Sequence, residues 1–218
     1  MTMKDVVVLL HGLARTQRSM IAVSLAARRR GYRVINWHYR SAFGSIAGHA
    51  QAFAREVAPR LENAPAVHFV THSLGGIIVR QFLATHTLPN LGRVVMLAPP
   101  KGGSEVADDL QHSAILARCV VPLKELGTTA MEALPAATYP VGVIAGSRSH
   151  IPPFSRWMND VPNDGVVAVE RTRLAGMTDF IVLRRTHTML PWSRDALGHV
   201  FAFLENGRFS APSSRTAA

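Results

Sequence analysis

Short apolar runs, separated by longer segments of helical spacing, set the tightest limit on what this 218-residue chain can fold into. The runs lie at 6–10 (VVVLL), 33–37, 67–70, 94–97, 140–145 and 180–183. They are nearly continuous rather than alternating, so both faces of each strand need apolar cover. That is the pattern of a parallel sheet lying between helices. Helical spacing is read over 18–30, stopping at Gly31, over 46–58, ending near Pro59, and over 74–86. It returns over 192–206, where Leu197, Val200, Phe201 and Leu204 form an apolar stripe. The expected fold is α/β: a mostly parallel six-stranded sheet with helices on both faces, in one domain spanning 1–209. Residues 101–138 hold two candidate helices, 105–118 and 123–134, and are expected to form a cap-like insertion over the strand ends. The small, polar residues 210–218 are expected to be a disordered tail.

Composition excludes several classes. With 48% hydrophobic and 17% charged residues, the chain can bury a substantial core. No apolar run approaches the roughly 18 residues of a membrane span. Residues 1–12 lack the features of a secretory signal, and Cys119 is the single cysteine, so no internal disulfide can form. Cys119 stands in an apolar setting that reads as a buried, inert thiol. These features together read as a cytoplasmic protein. The net charge of +10 comes almost entirely from arginine. It suits a solvated surface or attraction to an anionic membrane surface. No basic stripe interleaved with aromatics and no zinc-finger spacing accompanies it, so nucleic acid is not an expected partner.

Residues 69–76, "FVTHSLGG", place a serine at the end of an apolar strand and before a helix. Ser73 could simply cap that helix. In the alternative reading it is a nucleophile held on a tight strand-to-helix turn, with Gly75 and Gly76 keeping the helix start thin. Leu74 would then offer an unpaired backbone N–H at the helix N-terminus, where an anion is favoured. Thr71 occupies the position that the G-x-S-x-G pattern gives to its first glycine. Upstream, His11-Gly12-Leu13 ends the first strand. Gly12 allows a close backbone approach, and Leu13 N–H is the candidate second donor to a developing oxyanion.

A serine nucleophile needs a base and a carboxylate to orient it. Of ten histidines, His187 follows the last strand and precedes the final helix. His150, after the fifth strand, is the alternative base. His199 lies beside the stripe of the final helix and reads as structural. His72 precedes Ser73 on the elbow, so its ring is expected to point away from the hydroxyl and support the turn. Asp164, in Asn163-Asp164-Gly165, is the candidate carboxylate, although an ordinary turn would look the same in isolation. Asp160 and Asp179 are alternatives, the latter at the wrong end of its strand.

Taken together, "VVVLLHGL", "HFVTHSLGG", "VVMLAPP", "PNDGVVAVE" and "RTHTML" resemble the α/β-hydrolase superfamily, and within it the small bacterial lipase/esterase group. The resemblance spans nearly the whole chain to about residue 206. It implies a catalytic triad of Ser73, Asp164 and His187, in the chain order of that fold. It also implies oxyanion donors at Leu13 and Leu74, and no metal or organic cofactor. The implied activity is hydrolysis of a small-molecule carboxylic ester, lipid-like esters included. Thioester hydrolysis, acyl transfer and non-catalytic binding of an acyl ligand or a protein are the alternatives. Met189 and Leu190, with Leu13 and Leu74, are candidates for an apolar acyl wall, and by position could equally be core. The superfamily's usual strands before "VVVLLHG" have no counterpart.

Overall fold

The computed structural model describes residues 4–100, 134–149 and 161–210. Six strands form one sheet: β1 (Val6–Leu10), β2 (Arg33–Trp37), β3 (Val67–His72), β4 (Leu91–Leu97), β5 (Val141–Gly146) and β6 (Asp179–Leu183). Their order across the sheet is β2-β1-β3-β4-β5-β6, and every neighbouring pair is parallel. The described helices are α1 (Ile21–Arg29), α2 (Ile46–Glu56), α3 (Leu74–Thr85) and α4 (Arg194–Asn206).

The continuous apolar runs follow from burial on both faces. In β1, Val6, Val8 and Leu10 enter one core with Trp37, Phe53, Phe69 and Phe82, beneath α2 and α3. Val7 and Leu9 enter a second core with Met20, Val70, Val95, Phe201 and Phe203, beneath α1 and α4. Each fully buried Phe or Leu contributes on the order of 2 kcal/mol. The sheet is therefore fixed from both sides, and its strand ends form a rigid base for the loops that follow them.

Several boundaries differ from the sequence reading. The first helix begins as a 3-10 turn, Gln17–Met20, capped by the Thr16 hydroxyl, before α1 proper. The last helix starts two residues later than expected and is preceded by a similar turn. A 3-10 turn at His187–Trp192 contains Pro191, and α4 starts only after Ser193. Proline at that position has no N–H to give and is tolerated only near a helix start. β3 runs two residues further than its apolar stretch, through Thr71 and His72, and so delivers Ser73 directly. The expected helices at 105–118 and 123–134, the expected insertion as a whole, Cys119, His150, Asp160 and all but the first residue of the expected tail lie outside the described residues. No described helix is long and apolar enough to cross a membrane.

Candidate active site

Ser73 joins β3 to α3 with φ 52° and ψ −123°, a conformation that costs a residue with a side chain of the order of 1–3 kcal/mol. The elbow survives because its surroundings over-determine it. Ser73 N–H donates to the Leu97 carbonyl at the end of β4 (2.9 Å), and Gly76 N–H donates to the Ser73 carbonyl (2.9 Å). Gly75 packs so closely against β1 that an added Cβ would stand 2.7 Å from the Leu10 carbonyl oxygen and 2.8 Å from that of His11. Backbone cannot move aside easily. Gly75→Ala is expected to cost about 2 kcal/mol, the size of an overpacking defect, read as a lowered midpoint in urea. An unchanged midpoint would mean that the strand–helix contact is looser than described.

Asp164 and His187 form a pair. Asp164 is 2% exposed and His187 8%, and Nδ1 lies 2.7 Å from Asp164 Oδ2. A carboxylate only accepts, so Nδ1 carries a proton and donates; in the neutral ring the lone pair is then on Nε2. Asp164 Oδ1 accepts from the N–H groups of Val166 (3.0 Å) and Val167 (2.8 Å), and the Asp164 carbonyl accepts from His187 N–H (2.9 Å). The carboxylate is thus held through both oxygens, and the two loops are tied through backbone as well as side chain. Gly165 sits at φ 95°, which makes the tight Asn-Asp-Gly turn possible.

His72 joins the elbow to the histidine loop. Its Nε2 lies 3.0 Å from the His187 carbonyl oxygen and donates to it, and the two imidazole centroids are 4.7 Å apart. This long-range bond goes beyond the turn-supporting role expected from sequence. Burial, and secondarily the neighbouring His187, push His72 well below the ordinary histidine value of 6.5. Burial also lowers His11, chiefly, and His68. The folded chain therefore keeps these rings neutral where the unfolded chain binds protons. Their contribution to stability is complete above about pH 6.5 and is lost as the pH falls below it. The melting temperature is expected to drop between about pH 7.5 and about pH 5.5, and to drop less in His72→Gln. A flat profile would contradict the assignment of neutral buried rings.

The contacts of His11 were also not evident from the sequence. Its ring stacks on Tyr39, with centroids 4.2 Å apart, and the Tyr39 hydroxyl donates to the His11 carbonyl. His11 Nδ1 lies 3.0 Å from the Gly12 carbonyl oxygen, which also accepts from Arg15 N–H at 3.3 Å. In a trans peptide the N–H points opposite to the C=O, so these two bonds also fix the direction of the Leu13 N–H. Gly12 lies against Ser73: a Cβ there would be 3.2 Å from Ser73 Cβ and 3.1 Å from His72 Nδ1. Leu74 is the first residue of α3, where helix geometry leaves N–H groups without intrahelical partners.

The remaining candidates separate. Leu190 is fully buried in the core beneath α1 and α4, so it offers no surface for an acyl wall in this structure. Met189 is half exposed. Asp179 opens β6 at the far end of the sheet, where it accepts from Phe180 and Phe209 N–H groups. His199 lies edge-on to Phe209, with centroids 6.1 Å apart.

No family model and no curated protein matches the sequence. Solved structures do match. The mature lipase BlEst2 of Bacillus licheniformis superposes with a TM-score of 0.75 at 19% identity, covering 96% of this chain and 94% of its own. The metagenomic carboxyl esterase MGS0156 gives 0.66 at 22% identity, over 87% of this chain and 66% of its own. The esterase EaEST of Exiguobacterium antarcticum gives 0.61 at 15% identity, over 94% and 93%. With its strand order, its elbow and these neighbours, the chain has the α/β-hydrolase fold of lipases and esterases.

Proposed function

We propose that the protein is a serine hydrolase of carboxylic esters, with Ser73 as nucleophile, His187 as base and acid, and Asp164 as the group that orients it. The observation that carries this reading is the buried Asp164–His187 bond, tied through His72 to a serine held at positive φ. A merely structural Asn-Asp-Gly turn has no need of such a partner.

In the proposed cycle Ser73 Oγ attacks the ester carbonyl, and His187 Nε2 takes its proton. The imidazolium is stabilised by Asp164 across the 2.7 Å bond. The oxyanion is received by the N–H groups of Leu13 and Leu74, each contributing about 3 kcal/mol to the barrier reduction. His187 then protonates the departing alcohol, leaving an acyl-enzyme. Water repeats the sequence and releases the acid. The lipases and esterases among the structural neighbours support an ester as the substrate class.

Turnover of 4-nitrophenyl esters of increasing acyl length, beside matched thioesters, tests the substrate class. Ester hydrolysis that disappears in Ser73→Ala is the expected result. A kcat/KM consistently higher for thioesters would move the assignment to a thioesterase, and no turnover of either would favour a binding role.

A further inference from the structure

The 3-10 turn His187–Trp192 forms a ridge at the carboxyl end of the sheet, and a cationic hollow lies on each side of it. One, of about 600 Å³, is lined by Arg15, Arg18, Ser19, His72, Thr188 and Trp192, among others. The other, of about 360 Å³, is lined by Arg148, Arg184, Arg185, Met189, Ser193 and Arg194, with Thr186. The crest is apolar and open to solvent: Met189 is 50% exposed and Trp192 44%, with Ile21 beside it at 39%. All six arginines are exposed. Arg185 pairs with Asp195 (3.0 Å), and Arg15 donates to the Thr188 hydroxyl (3.0 Å). Among the described residues no carboxylate forms an ion pair with Arg15, Arg18, Arg148, Arg184 or Arg194.

We propose that this ridge and its two hollows dock the protein on an anionic lipid surface, so that the substrate of the hydrolase reading is an ester presented at that surface. The inference rests on the function proposed above, for the substrate, but its docking half stands on the surface alone. Arginines without acidic partners among the described residues are matched in charge by anionic headgroups, and each such residue near the surface strengthens attachment by about fivefold. An indole and a thioether standing between them suit the boundary of headgroups and acyl chains. The ridge is also rigid. His72 holds the His187 carbonyl, and the N–H groups of Met189 and Ser193 bond back to Thr186 and Met189 within the turn. Because the same turn begins at His187, docking by its crest brings the lipid surface to the strand ends that carry Ser73. Isolated exposed apolar residues would not need a cationic surround on both sides, and scattered surface arginines would not need an apolar crest.

Binding is measured with the full chain carrying Ser73→Ala, so that no lipid is consumed, on phosphatidylcholine vesicles with or without about one third phosphatidylglycerol. The expected result is co-sedimentation with the anionic vesicles only, weakening steeply as salt is added. Trp emission shifts to the blue on binding, and Trp192→Phe loses the shift. The triple variant Arg18→Gln, Arg184→Gln, Arg194→Gln binds roughly a hundredfold more weakly. With Ser73 intact, that variant hydrolyses a soluble short-chain ester as the wild type does, which shows that it is folded. Equal binding to both vesicle types, binding to neither, or wild-type binding by the triple variant would overturn the proposal. A protein that docks as expected but turns over no ester would leave the docking standing and remove the hydrolase reading.

Discussion

Ser73→Gly is expected to abolish ester hydrolysis, by roughly 10⁵-fold in kcat, while making the protein more stable. The two effects have separate causes. The loss of activity follows from the missing hydroxyl, since without Oγ no acyl-enzyme forms. The gain in stability follows from the backbone, because Ser73 sits at φ 52° and ψ −123°, where a Cβ is crowded and glycine is not. The relief is partly offset by the greater freedom of glycine in the unfolded chain. A net gain of about 1 kcal/mol is expected, or about 2–4 °C in melting temperature for a chain of this size. Ser73→Ala controls for this, since it removes the hydroxyl and keeps the strain. It should be as inactive as the glycine variant and no more stable than wild type. A glycine variant less stable than the alanine variant would show that the elbow is not strained.

Asp164→Asn is expected to lower kcat by about 10⁴-fold with little change in KM, the size of loss that follows when a triad carboxylate becomes an amide. The amide oxygen can still accept from Val166 and Val167 N–H, as Oδ1 does now, so the turn should fold. The amide nitrogen then faces His187 Nδ1 as a donor. It forces the lone pair onto Nδ1 and the proton onto Nε2, the atom that accepts from Ser73 in the proposed cycle. Loss of activity with circular dichroism and melting temperature close to wild type is the expected pattern. Near-normal kcat would remove Asp164 from the proposed machinery.

The sheet was legible because its inner strands β1, β3 and β5 are buried on both sides. Val6–Leu10 alternates between two apolar cores and so has no polar face to obscure it. The elbow was legible from Ser73 and its two glycines, despite Thr71 in place of the first glycine. Thr71 is fully buried in β3, beside Leu10 of β1 and Met96 of β4. A β-branched residue suits that strand position. Local pattern did not reveal what His11 and His72 do. His72 meets the carbonyl of a residue 115 positions away, and His11 acts on the peptide of its neighbour only because Tyr39 holds its ring in place. Such roles arise from the packing of separate strands' ends, which no spacing in the sequence encodes. Leu190 was left open between acyl wall and core for a related reason. An apolar residue after a site histidine reads the same whether it faces a cavity or the core, and here it faces the core.

The most direct test of the account is the intact mass of the protein after exposure to a fluorophosphonate, for the wild type beside Ser73→Ala and Asp164→Asn. A single adduct on the wild type, none on Ser73→Ala and much slower labelling of Asp164→Asn would show a serine activated by the His187–Asp164 pair. A folded wild-type chain that takes up no adduct, or one that is labelled equally well without Ser73, would contradict it.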